Sequence, residues 1–110
     1  MEIHRIDTPE LVIRRYSMAD EAARFALDCE TSDPSTPPQT THTWLQWTVT
    51  GYDQYARLFQ PPLSEYAIAL PNSDEAIGTI GLLTPFVPWG VFDNPDHLRV
   101  QAEFGLFWAI

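Results

Sequence analysis

Cysteine, histidine and cationic side chains are all scarce in this 110-residue chain, and each shortage closes off a class of function. Cys29 is the single cysteine, so no internal disulfide can form and nothing points to secretion. His4, His42 and His97 are scattered and have no cysteine pair to join, which leaves no spacing like that of a zinc site. Six Lys and Arg against fifteen Asp and Glu give a formal net charge of −9. Binding a phosphate backbone needs clustered cations, so this balance argues against a nucleic-acid partner. An acidic surface suits a basic substrate, but its first effect is on solubility. The N-terminal stretch Met1 to Asp7 lacks the apolar core of a signal peptide. No apolar run approaches the length of a membrane span. The expectation is a soluble cytoplasmic protein with no membrane partner.

What is present is a globular composition. Apolar residues make up 45% and aromatic residues 13% of the chain, enough for one modest core and no second domain. Leu11-Val12-Ile13-Arg14-Arg15-Tyr16 reads as a first strand. Ser17 and Asp20 form a capping signature, and Met18, Ala22, Phe25 and Cys29 fall along one face of a first helix. That leaves Glu21, Arg24 and Asp28 on the other face, and makes Cys29 a small buried apolar residue. Thr31 to Gln39 is a loop, in which Pro37 and Pro38 forbid helix propagation. A second helix is predicted from Thr40 or Thr41, turning Leu45, Thr48 or Val49, Tyr52, Tyr55 and Phe59 inward until Pro61-Pro62 end it. Trp44, Trp47, Tyr52 and Tyr55 sit at helical spacing, which suits core and rim better than a ligand cage.

Glu65 to Leu70 and Ala76 to Leu83 are two strands joined by the polar turn Pro71 to Glu75, so they should pair antiparallel. Gly78 and Gly81 mark either a bulge or a place where something approaches the backbone. The connection from Thr84 to Gln101 is long and partly apolar, and is expected to pack over a cleft. Finally, Ala102, Phe104, Leu106, Trp108 and Ile110 alternate with Glu103, Gly105, Phe107 and Ala109. A strand that apolar on both faces belongs in the middle of a sheet. The order is α+β, with a mainly antiparallel sheet of about four strands and two early helices.

This order resembles the N-terminal half of the GNAT N-acetyltransferases, in their RimJ/RimL-like branch. Thr8-Pro9-Glu10-Leu11-Val12-Ile13-Arg14, followed by Ala19-Asp20-Glu21-Ala22, is similar to that branch's opening "T-P-R-L-x-L-R" strand and first helix, with Glu10 in place of the common Arg. Ala76-Ile77-Gly78-Thr79-Ile80-Gly81-Leu82 is similar to its "L-I-G-x-x-G-L" strand. Glu103-Phe104-Gly105-Leu106-Phe107-Trp108 is similar to "E-x-G-Y-W-L". The family's acetyl-CoA signature, Arg/Gln-x-x-Gly-x-Gly/Ala at a helix start, occurs nowhere in this sequence. The expectation is therefore an incomplete GNAT-like fold: residues 1–110 as the N-terminal part of one acetyltransferase domain, ending just before that signature.

The resemblance implies transfer of an acetyl group from acetyl-CoA to an amine, either a protein N-terminus or a small molecule, with no metal. It places pantetheine along the main chains of Trp108, Ala109 and Ile110. Glu103, the acidic residue of that strand, is the candidate general base; flanking Phe104 and Phe107 would raise its pKa. The alternative is a structural Glu103 that faces solvent or pairs with Arg14 or Arg15. Phe86 and Trp89 are candidate acceptor-lining residues. A different reading is a non-catalytic module that pairs with a second copy through its last strand, giving a homodimer.

Overall fold

In the computed structural model of the chain, residues 2–83, 86–87, 101–102 and 105–110 are described. Two short strands come first, β1 (Arg5–Asp7) and β2 (Val12–Arg14), paired antiparallel. The turn between them explains the Thr-Pro-Glu-Leu word. The Thr8 hydroxyl accepts the Leu11 amide at 2.9 Å and donates to the Leu11 carbonyl at 2.7 Å. β1 went unpredicted because its three residues are all exposed and carry one apolar side chain, so no periodicity marks it.

After a 3-10 turn at Met18–Asp20 comes helix α1 (Glu21–Thr31). Asp20 reaches back to the Ser17 amide at 2.8 Å and the Ser17 side chain meets the Asp20 amide, the capping box that the sequence predicts; the Asp20 amide also donates to the Ser17 carbonyl at 3.0 Å. The predicted inward face of α1 is wrong. Met18 and Ala22 are exposed and Phe25 and Cys29 only half-buried, while Leu27 is buried and Arg24 and Asp28 turn inward. Charge usually marks a solvent-exposed face, and here it marks a largely buried ion-pair network.

Helix α2 (Pro38–Arg57) starts two residues earlier than predicted. Pro38 stands at the first helical position, where a missing amide costs nothing and the fixed φ suits the helix. Thr41, Leu45, Thr48 and Tyr52 form its buried stripe. Phe59 does not join it and is 96% exposed. The helix ends instead in a Schellman motif: the Gln60 amide donates to Tyr55 O at 2.9 Å and the Phe59 amide to Ala56 O at 3.1 Å. That closure sets Phe59 at φ 54°, which points its side chain away from the core.

Strands β3 (Glu65–Ala69) and β4 (Ala76–Leu83) form the predicted antiparallel hairpin, with a bulge where Ala69 pairs with Ala76 and Ile77 is left over. At its tip Asp74, at φ 58°, accepts at Oδ1 from Arg14 Nε (3.1 Å) and Arg5 Nη1 (3.4 Å), and at its carbonyl from Arg14 Nη2 (2.7 Å). The long connection contains β5 (Phe86–Val87) and β6 (Gln101–Ala102), which pair with each other. The last strand, β7 (Gly105–Ala109), pairs with β4.

The main sheet has the order β1-β2-β3-β4-β7. Among the described residues β7 is thus an edge strand, where its pattern suggests a central one, and Leu106, Trp108 and Ile110 are 57%, 67% and 70% exposed. Composition alone could not separate a strand enclosed on both sides from an edge strand with apolar faces. α1 lies against the sheet face carrying Glu65, Ala67, Thr79 and Ala109. The other face carries Ile13, Ile68, Ile80 and Trp108. The core gathers Tyr16, Leu45, Tyr52, Tyr66 and Ala67. No helix among the described residues is long and apolar enough to cross a membrane.

Candidate functional site

The sequence directs attention to the end of β7, and the geometry there is governed by Gly78. Thr79 pairs with Ala109 across the β4–β7 ladder, so Gly78 lies opposite Ile110. A Cβ placed on Gly78 would collide with the Ala109 carbonyl oxygen, and would sit 3.0 Å from Ile110 Cγ1 and 3.1 Å from Ile110 Cα. The predicted close approach at this glycine is thus real, and what approaches is β7 itself. On the outer side of β7 no strand of the described residues pairs with it. Among the described residues the backbone groups of that edge have no strand partner, and it is along this edge that the resemblance sets pantetheine. The described residues at the end of β7 fit acetyl-CoA in this respect.

Behind β4, on the α1 side, lies a polar network the sequence reading missed. Arg24 of α1 reaches Glu65 Oε2 at 2.5 Å, Thr79 Oγ1 at 3.2 Å and the Tyr16 hydroxyl at 3.4 Å through Nη1, and Asp28 Oδ1 at 2.9 Å through Nε. The Thr79 hydroxyl donates to Glu65 Oε2 at 2.9 Å, and the Tyr16 hydroxyl to the Gly78 carbonyl at 3.3 Å. The Arg24 guanidinium also stacks 3.9 Å above the Trp44 ring, which meets Tyr16 edge-on at 5.6 Å. Burial pulls the Arg24 pKa down, but Glu65, by hydrogen bond and by charge, outweighs it and leaves the pKa above its usual value. Burial likewise pushes the Tyr16 hydroxyl up. Arg24 is therefore a permanent cation that fixes the Glu65 and Thr79 side chains. One signal could have found it: an arginine and an aspartate four apart on α1, at the spacing of a helical ion pair.

Of the sequence-predicted site residues, Trp108, Ala109 and Ile110 come together at the end of β7. Phe86 lies on β5, whose backbone pairs with β6. Glu103 and Trp89 lie outside the described residues. The two arginines weighed as partners for Glu103 have other carboxylates. Arg14 holds Asp20 with two bonds of 2.8 Å, and Arg15 reaches Asp53 at 3.2 Å. The aromatic group on α2 divides as core and rim: Tyr52 is buried, Trp44 and Tyr55 are half-buried, and Trp47 is exposed. Among the described residues no group of three His, Cys, Asp or Glu is placed to hold a metal ion.

The chain is similar to a solved structure described as "Putative GnaT-family acetyltransferase from Bordetella pertussis". The TM-score is 0.56 at 20% identity, over 94% of this chain and 59% of that one. No protein-family model matches the chain, and no curated protein does. The fold is therefore GNAT-like α+β, two helices on a five-stranded antiparallel sheet, and the chain spans about three fifths of its structural neighbour.

Proposed function

We propose that this chain is the N-terminal part of an acetyl-CoA-dependent N-acetyltransferase domain of the RimJ/RimL-like kind. One observation carries the reading: a GNAT-like sheet in which β7 has no partner on its outer edge among the described residues, where the resemblance puts the cofactor. The main chains of Trp108, Ala109 and Ile110 pair with pantetheine and present the thioester. The acceptor amine loses a proton to Glu103, directly or through water, and then attacks the thioester carbonyl. A C–N bond forms and the C–S bond breaks; the second proton of the attacking nitrogen passes to the departing thiolate, and the first leaves Glu103 for solvent. Phe86 and Trp89 line the acceptor side, and the acceptor is the amine of a protein N-terminus or of a small molecule. The net charge of −9 favours approach of such an ammonium group. The reaction is cytoplasmic.

The test is calorimetric titration of acetyl-CoA into protein expressed from the complete reading frame, followed by an assay for thiol release with small amines and peptide N-termini. Saturable binding and amine-dependent thiol release are expected. A protein that folds and takes up no acetyl-CoA at millimolar concentration sinks the proposal.

A second reading is favoured by the exposure of Leu106, Trp108 and Ile110 on a strand that carries no charge and whose outer edge has no strand partner among the described residues. In it the chain is a non-catalytic module in which β7 pairs with β7 of a second copy. A concentration-dependent dimer by sedimentation, lost in Leu106→Lys, supports that reading. A strict monomer at high concentration removes it.

A further inference from the structure

Gly78 has contacts on both sides of β4 that a glycine in a plain strand does not need. From the α1 side its carbonyl accepts the Tyr16 hydroxyl, and its neighbour Thr79 is buried and tied to Glu65 and Arg24. From the other side Ala109 O and the Ile110 backbone occupy the space of the missing side chain. The Ile77 bulge lies directly before it, and bulges re-aim the strand that carries them.

We propose that Gly78 is a positioning residue for acetyl-CoA: its missing side chain lets the Ala109–Ile110 backbone close against β4, which sets the direction in which the free edge of β7 meets the cofactor. The inference rests on the acetyltransferase reading above. Which strand gives way on substitution follows from the packing. β4 is held by the β3 ladder and by the Tyr16–Arg24–Glu65–Thr79 network. Among the described residues β7 pairs with β4 alone. A methyl group at position 78 therefore displaces the end of β7 and leaves β4 in place. Tyr16 supports the same geometry from behind, through the Gly78 carbonyl.

The experiment compares Gly78→Ala, Tyr16→Phe and Leu27→Ala in protein expressed from the complete reading frame. Leu27→Ala is a destabilised control on α1, away from β7. Amide exchange at 107–110 in Gly78→Ala should quicken by about tenfold or more relative to β3 amides. Its acetyl-CoA Kd should rise by about tenfold, while Leu27→Ala holds Kd within about twofold of wild type. Tyr16→Phe, which removes one hydroxyl, should move both readouts in the same direction by less, and it carries the test if Gly78→Ala does not fold. Exchange at 107–110 that stays at wild-type rates in the folded variants overturns the proposal. So does a Kd that shifts equally in Leu27→Ala, because general loss of stability then explains it. If wild-type protein takes no acetyl-CoA, the cofactor role and the acetyltransferase reading fall together. The exchange data alone then report whether Gly78 sets the end of β7.

Discussion

Arg24 and Glu65 are 41 residues apart in the chain, and their side chains meet at 2.5 Å between α1 and β3. Both are largely buried, and Arg24 is shared with Asp28. Removing the guanidinium strands two carboxylates, whereas removing Glu65 leaves Arg24 with Asp28. Arg24→Met should therefore cost about 3 kcal/mol and Glu65→Met clearly less, with the double variant recovering part of the loss. Urea denaturation of the three variants measures this. Equal costs for the two single changes would contradict the shared-cation picture.

Tyr52 joins α2 to β3 and to the segment that follows β2 through a single oxygen. Its hydroxyl donates to the Glu65 carbonyl at 2.5 Å and accepts the Tyr16 amide at 3.0 Å. Tyr52→Phe keeps the ring and leaves both buried backbone groups without a partner. The expected loss is about 2 kcal/mol, near the full cost of unmade bonds. A change too small to resolve in thermal unfolding would mean that water replaces the hydroxyl.

Acid should weaken the fold partly through Asp20. Burial alone would raise its pKa, but the Arg14 guanidinium and the Ser17 amide outweigh burial and hold it below the usual carboxylate value. A carboxylate depressed in the folded state contributes stability above its unfolded pKa of about 3.9, and loses it as pH falls through the folded value. Wild-type stability should thus decline below about pH 4, and Asp20→Asn should be less stable near neutrality with a flatter acid limb. Parallel pH profiles for the two proteins would show that Asp20 is not the group responsible.

One position within α2 and one just past its end should accept stabilising changes. Phe59 occupies a left-handed position that favours glycine and buries almost nothing, so Phe59→Gly should gain about 1 kcal/mol. Gly51 lies inside the helix, and a Cβ there would meet the Tyr55 ring at an ordinary 3.7 Å from Cε2 and 3.9 Å from Cδ2. Gly51→Ala should also gain up to about 1 kcal/mol, and the two gains should add. Calorimetric melting temperatures check both. A loss in Phe59→Gly would mean that its ring has a contact in solution.

The elements legible in the sequence were those whose signal is local. The β3–β4 hairpin, the capping contact from Asp20 to Ser17 and the approach at Gly78 all follow from residues close in sequence or from a side chain that is missing. The short word around Thr8 and Arg14 also carries physical content. Thr8 closes the β1–β2 turn, and Arg14 clamps Asp20 with two bonds of 2.8 Å. What escaped was set by partners remote in the chain. Arg24 and Asp28 looked like a solvated face because nothing in α1 announces Glu65, Thr79 and Trp44. The composition of β7 suits a central strand, and it cannot show that only β4 pairs with it among the described residues. Phe59 looked like core because helical periodicity says nothing about a left-handed cap.

Asp74, at the hairpin tip, is 60 residues from Arg14 and 69 from Arg5. The hairpin it tops can form from residues near one another, whereas β2 joins β3 only after both helices have been looped out between them. Pairing that closes so long a loop comes late, since its entropy is lost before the contacts form. The Asp74 contacts therefore belong to the last stage of assembly. Replacing Asp74 should leave the refolding rate nearly unchanged and appear as faster unfolding, so the tip of this turn acts on how long the assembled sheet lasts.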